Sequence, residues 1–250
     1  GANEKGDPYP AKVSLGDLSI NGHDSAQLSH INFSIGLGSI NIGLGTGCAM
    51  GRIRQIEVPP LFPKSGPIRI AIYGEAPGPR GADQSGIPFW GDRAGLLLYR
   101  VLAAAGLARI PDEAWDPWDG ARFREENLAP EPRGVFLGNA FPRCPTRDGH
   151  TFHAPSDVEL KAPANLSRLS DELGLAASRC PGRLKVIALG RRSEWVFQRL
   201  PNPPAFDLHL LPHPSSQGLL QAAPGKGKGL KLQDLQREWE TRLSALLGDF

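Results

Sequence analysis

Four short apolar runs constrain this chain most: PIRIAIY at 67–73, GVFLG at 134–138, LKVIAL at 184–189 and FDLHLL at 206–211. Runs of this length bounded by glycine, proline or asparagine read as strands buried in a parallel sheet. Helical patterns separate them. Ala94, Leu97, Leu98, Val101, Leu102 and Ala105 share one face at helical spacing, and Gly106 supplies the stop. Pro163 opens a helix carrying Leu166, Leu169 and Leu173, Val196, Phe197 and Leu200 mark a short one, and a last helix runs from about Leu230 through Leu235, Trp239 and Leu246. Strands that alternate with helices predict an α/β fold: a three-layer α/β/α arrangement around a central, mainly parallel four-stranded sheet. Open sheets of this kind bind ligands at the carboxyl ends of their strands.

The first 66 residues follow a different pattern. Residues 1–30 are polar and irregular, whereas HINFSIGL at 30–37 and SINIGL at 39–44 alternate around Gly38, which predicts a β-hairpin. The glycines there do not complete G-x-G-x-x-G, because Asn41 and Cys48 stand at the closing positions, so a dinucleotide loop is excluded. The expected organisation is an N-terminal extension over 1–66 and one α/β/α domain over 67–250. The acidic, tryptophan-containing stretch at 111–132 is expected to be a long connection.

Bulk properties narrow the function classes. With 250 residues the chain can bury a sizeable core, and 40% hydrophobic residues in periodic runs outweigh its 30 glycines and 24 prolines. A net charge of +2 permits a nucleic-acid partner without demanding one. No apolar run approaches the ~18 residues of a membrane span, and no secretory pattern is present, so a soluble cytoplasmic monomer without membrane contact is expected. Cys48, Cys144 and Cys180 are an odd set in a chain too long to need staples, and reduced thiols are expected.

Chemistry-bearing residues cluster just after the strands. GEAPG at 74–78 and GADQSGIPFWGD at 81–92 follow the first, LGNA at 137–140 ends the second, and HPSS at 213–216 follows the fourth. These motifs, in this order, resemble the uracil-DNA glycosylase superfamily over roughly residues 68–217, with a fourth-family first motif and a fifth-family Pro-Phe-x-Gly-Asp. The resemblance implies an enzyme that everts a base from DNA, holds it in a tight pocket and hydrolyses its glycosidic bond.

Residue by residue, it implies a substrate pocket lined by Gly74, Ala76, Pro77, Gly78, Phe89 and Asn139. Phe89 offers a flat apolar face to the base. The Asn139 amide pairs with O4 and N3–H of uracil, an edge cytosine lacks. Gly78 stands where some relatives place a tyrosine that excludes a methyl, implying a roomier pocket. His213, between Pro212 and Pro214, would donate a ring N–H to O2 of the departing base, and a neutral imidazole suffices. Glu75 and Asp92 are the two carboxylates able to orient the attacking water. Asp92 is equally suited to cap the helix beginning at Arg93, whereas Glu75 has little structural reason to end a buried strand. Ala76 replaces the catalytic aspartate or asparagine of other branches. Ser215 and Ser216 are placed to bond phosphate, Gln217 sits where relatives insert a wedge, and Lys226 and Lys228 reach for phosphates or form a solvated loop.

The fourth and fifth families usually hold an iron-sulfur cluster through four cysteines. Here a fourth thiol is missing and Cys180 lies too close to the third strand, so no cofactor and no metal are expected. A zinc site from Cys144, His150, His153 and Cys180 matches no common spacing. The reading is a monofunctional glycosylase acting on uracil or a related deaminated or 5-substituted base in DNA. A weak modified-base-binding protein on the same scaffold, or a nucleoside or nucleotide hydrolase, are the alternatives.

Overall fold

Residues 31–35, 38–42 and 56–248 are described in the computed structural model, and the chain divides into two units, Gly1–Ala49 and Met50–Phe250. In the first, β1 (Ile31–Ile35) and β2 (Gly38–Ile42) pair antiparallel with Ile31 opposite Ile42 and Ile35 opposite Gly38. The predicted hairpin is present, with Gly38 paired inside β2 instead of marking the turn.

The second unit runs β3 (Ile70–Gly74), α1 (Ala82–Ser85), α2 (Arg93–Ala104), β4 (Ala108–Arg109), a 3-10 turn (Asp112–Trp115), α3 (Gly120–Glu125), β5 (Glu131–Pro132) and β6 (Val135–Asn139). It continues with α4 (Asp157–Leu160), α5 (Pro163–Ser178), β7 (Leu184–Leu189), α6 (Arg191–Phe197), β8 (Phe206–Leu211), α7 (Ser216–Ala222), a second 3-10 turn (Pro224–Gly227) and α8 (Leu232–Leu247). The four long strands form one parallel sheet in the order β6-β3-β7-β8. Gly74 is registered with Asn139 and Leu189 with Leu211, which brings the motif-bearing strand ends to one edge.

Alternation along β3 explains the continuous apolar run. Ile70 and Ile72 enter a cluster with Leu98, Leu102, Trp239 and Leu243 of α2 and α8, while Ala71 and Tyr73 enter another with Leu169, Leu173 and Phe197 of α5 and α6. A strand covered by helices on both faces has no polar side to show, and the three predicted layers result. The edge of β6 is met by Leu61, whose N–H and carbonyl exchange hydrogen bonds with Leu137 at 2.8 and 3.0 Å.

The 111–132 stretch is more built than a connection. It contains α3 and a turn, and is framed by the β4–β5 pairing of Ala108 with Pro132. Its Trp118 and Phe123 pack on Trp90 with ring centroids 4.6 and 4.5 Å away. Trp118 Nε1 donates to the Asp92 carbonyl at 2.8 Å, and Trp90 Nε1 to Leu128 at 2.9 Å. Tyr99 of α2 donates to the Pro88 carbonyl at 2.9 Å, so the segment from Pro88 to Asp92 is fixed at both ends. Aromatic spacing without helical or strand period concealed this buttress from sequence patterning.

Candidate active site

The site forms where β3 and β6 end side by side. Past the strands the pairing continues, with Ala140 N–H donating to Gly74 and Phe141 N–H to Glu75, both at 2.8 Å. Gly74 is required there: a Cβ on it would fall 2.8 Å from Phe89 Cε1 and 3.0 Å from Asn139 Oδ1. The Phe89 ring and the Asn139 amide therefore converge on one backbone position. Phe89 holds φ 62°, a left-handed conformation unfavourable for a bulky residue and common where function outweighs local comfort. Gly95 permits it, since a Cβ on Gly95 would lie 1.4 Å from the Phe89 carbonyl oxygen.

Asn139 is 4% exposed, and its side-chain nitrogen is buried without a hydrogen-bond partner. An unpaired buried amide costs about 1–3 kcal/mol, so its bonding capacity is left for something else. The local-backbone role open to a strand-ending asparagine is not the one its amide nitrogen takes.

Asp92 caps α2, accepting from Gly95 N–H at 2.6 Å through Oδ1. Its Oδ2 faces the first motif, 3.1 Å from where a Cβ of Gly78 would stand. Capping thus uses Oδ1, while Oδ2 is the oxygen turned towards the first motif. Although its residue surface is partly accessible, protein surrounds the carboxyl, and burial raises its pKa to about 6 against the lowering by the Gly95 and Ala94 N–H groups.

Glu75 differs from expectation. Arg192, in the first turn of α6, donates to Glu75 Oε1 at 2.7 Å and to Asp157 Oδ1 at 3.0 Å, and also bonds the Pro155 carbonyl. Glu75 has a structural reason after all: it ties β3 to α6 and to the segment before α4. Burial raises its pKa, with the Arg192 hydrogen bond and charge opposing. The motifs do not single out Arg192, though an arginine two residues past the glycine that follows β7 is a legible sign of a charge at the carboxyl edge of the sheet.

His213 follows β8 at the far end of the same edge, close to Gly190 after β7, where a Cβ would come within 3.8 Å of His213 Cβ. Its Nδ1 accepts from Ser215 N–H at 3.3 Å, which leaves the proton on Nε2. Desolvation lowers its pKa to about 4, so the ring is neutral at physiological pH and still an N–H donor. Three strand spacings separate the ends of β6 and β8, roughly 14 Å. Two cavities of about 490 and 410 Å³ lie elsewhere, one against Arg69, Leu107 and Arg133 at the amino edge of the sheet, the other between α5 and Pro201.

The remaining predicted residues divide. Ala76 is half-buried against the α5–α6 side of the core, Pro77 is buried, and the Gly78 carbonyl accepts from Asp83 N–H at 3.0 Å to start α1. Ser215 caps α7, accepting from Gly218 N–H at 3.1 Å, so its hydroxyl is engaged locally. Ser216 is half-buried; Gln217, Lys226 and Lys228 are exposed. A four-thiolate cluster asks for four cysteines where this sequence has three. Cys144 is buried after β6 and Cys180 half-buried before β7; among the described residues no three of His, Cys, Asp and Glu converge as a metal site. These residues do not fit such a cluster, and Cys48 lies outside the described residues.

Two relatives share part of this sequence. The type-5 uracil-DNA glycosylase of Thermus thermophilus is 32% identical over 148 residues, 57% of this chain and 58% of that protein. The type-5 uracil-DNA glycosylase of Mycobacterium leprae is 38% identical over 72 residues, 29% of this chain and 31% of that protein. The chain thus matches little more than half the length of the first and about a third of the second. The family model described as the uracil DNA glycosylase superfamily matches residues 62–236, which span β3 through the start of α8 and every motif at the carboxyl edge. On that match, and on a sheet whose strand ends gather those motifs, the chain belongs to the uracil DNA glycosylase superfamily.

Proposed function

We propose that this protein is a monofunctional DNA glycosylase that excises uracil, or a related deaminated or 5-substituted base, from DNA and leaves an abasic site. The observation that carries this reading is the buried, unpartnered Asn139 amide beside the Phe89 ring at the carboxyl edge of the sheet. An everted uracil stacked on Phe89 satisfies that amide, its O4 accepting from Nδ2 and its N3–H donating to Oδ1. Cytosine offers an amino donor where O4 should be and leaves Nδ2 unsatisfied.

Cleavage of the bond between C1′ and the base nitrogen places negative charge on the base and positive charge on the sugar. His213, neutral with its proton on Nε2, donates to O2 of the departing base. Asp92 Oδ2 orients a water whose oxygen bonds to C1′ and whose proton passes to the carboxylate. Asp92 is preferred over Glu75 because Arg192 already engages Glu75. The lack of a motif lysine favours hydrolysis over a lyase step.

The test is excision from oligonucleotides bearing uracil, hypoxanthine, xanthine or 5-hydroxymethyluracil, single-stranded and paired, scored as abasic sites. Many free bases per protein molecule support the enzyme; a retarded complex without turnover supports a modified-base binder. Activity on free nucleosides that ignores salt would support a nucleoside hydrolase instead, since phosphate contacts impose a salt slope. Asn139→Ala should lower kcat/KM for uracil about 10-fold to 100-fold, the equivalent of the ~1–3 kcal/mol a bidentate pair contributes to discrimination. His213→Ala should lower kcat about 100-fold to 1000-fold, as loss of one preorganised donor does elsewhere.

A further inference from the structure

We infer that Arg168 is a positioning residue for base recognition, holding Asn139 through its backbone. The inference rests on the glycosylase reading for its consequence in catalysis, but its geometry stands apart from it. Arg168 lies on α5, and its Nη2 donates to the Asn139 and Ala140 carbonyls, both at 3.1 Å, and to Asn165 Oδ1 at 2.9 Å. Asn165 Nδ2 donates to the same Ala140 carbonyl and to Leu160, both at 2.9 Å. Nη1 of Arg168 pairs with Glu172, one turn further along the helix, whose other oxygen accepts from Tyr73 OH at 3.1 Å. Tyr73 immediately precedes Gly74, and its carbonyl accepts from the buried Ser193 hydroxyl at 3.1 Å.

One guanidinium thus grips the end of β6 and, through Glu172 and Tyr73, the end of β3. Those two ends carry the Asn139 amide and the glycine it faces. An asparagine whose own amide nitrogen has no protein partner lacks a bond to fix its orientation; the two carbonyls behind it must be fixed instead. A planar fork can bridge two carbonyls and a side-chain amide while keeping its ion pair, which the point charge of lysine cannot do.

The experiment compares the wild-type chain with Arg168→Met and Arg168→Lys, each with and without Asn139→Ala. The Asn139 side-chain amide resonances, assigned by their loss in Asn139→Ala, should shift or broaden in both Arg168 variants while the remaining spectrum keeps its folded dispersion. In uracil excision each Arg168 variant should lose about 10-fold in kcat/KM, no more than Asn139→Ala itself, since the loss comes only through the misplaced amide. In the Asn139→Ala background the same substitution should cost little more, because the group being positioned is gone. Equal losses in both backgrounds, or unmoved Asn139 resonances, overturn the inference. If Arg168→Met does not fold, Arg168→Lys, which retains the charge opposite Glu172, decides it. Should the wild-type chain excise no base at all, the glycosylase reading fails while the amide resonances still test the clamp.

Discussion

Asp92→Asn should lower kcat for uracil excision about 100-fold to 10,000-fold, the range for removing a general base, while leaving the protein at least as stable. Asparagine caps helices as well as aspartate does, so the bond from Gly95 N–H survives. What disappears is a negative charge held where burial raises its pKa from the ordinary 3.8 to about 6. The sign follows from proton uptake: between those values the folded chain binds the proton more readily, so stability rises as pH falls from about 6 towards 4. Above 6 the ionised Asp92 opposes folding by up to about 3 kcal/mol, two pKa units at ~1.4 kcal/mol each. Removing that cost should raise Tm at pH 7.5 and erase the gain on acidification. Wild-type kcat/KM should fall as pH drops through about 6, a limb His213 cannot produce because its ring stays neutral down to about 4. Thermal melts and pH–rate profiles of both proteins check the pair of effects. An Asp92→Asn variant as active as wild type would transfer the water to Glu75, and Glu75→Gln should then carry the loss.

The opposition between stability and chemistry at Asp92 bears on what sequence alone could disclose. The four strands were legible because burial on both faces leaves only apolar residues, and their ends lie within a few residues of the predicted positions. The parallel α/β class followed from the helices between them. The order β6-β3-β7-β8 was not legible, since it depends on which strand edges meet and not on any local pattern. Phe89, Asn139 and His213 were singled out by their motifs, yet the contacts that hold Phe89 and Asn139 in position were not legible. The Arg192 bridge to Glu75 spans 117 residues and the Arg168 grip on Asn139 spans 29, distances over which spacing carries no signal. The Trp90, Trp118 and Phe123 cluster escaped for a related reason, because rings from separate turns meet only after the chain has folded. Motif residues are read directly from local sequence; the groups that hold them in place are distant in sequence and chosen by geometry.

Two glycines in helices show how far local propensity can mislead. Gly174, exposed within α5, would place an added Cβ in open space with no atom within 4 Å, and Gly174→Ala should stabilise by about 0.5–1 kcal/mol through the lost backbone freedom of glycine. Gly95, in the first turn of α2, is equally unfavourable by helix propensity, yet its surroundings forbid the same replacement. Its Cβ would stand 1.4 Å from the Phe89 carbonyl oxygen and 2.5 Å from the carbonyl carbon, so backbone must move and no rotamer change relieves it. Phe89 already sits at φ 62°, pinned between the Tyr99 bond to Pro88 and the Trp118 bond to Asp92, and has little room to yield. Gly95→Ala should therefore destabilise by about 3 kcal/mol or more, beyond ordinary overpacking. At ~2–4 °C per kcal/mol for a domain of this size, Tm should fall by about 6–12 °C. Because any relaxation carries the Phe89 ring away from Gly74, uracil excision below the new Tm should fall as well, whereas Gly174→Ala should leave it unchanged. Melting curves together with excision rates at a temperature where all three proteins are folded separate the two consequences. A Gly95→Ala variant that melts higher than wild type would mean that Phe89 is not held in the strained turn on which the proposed pocket depends.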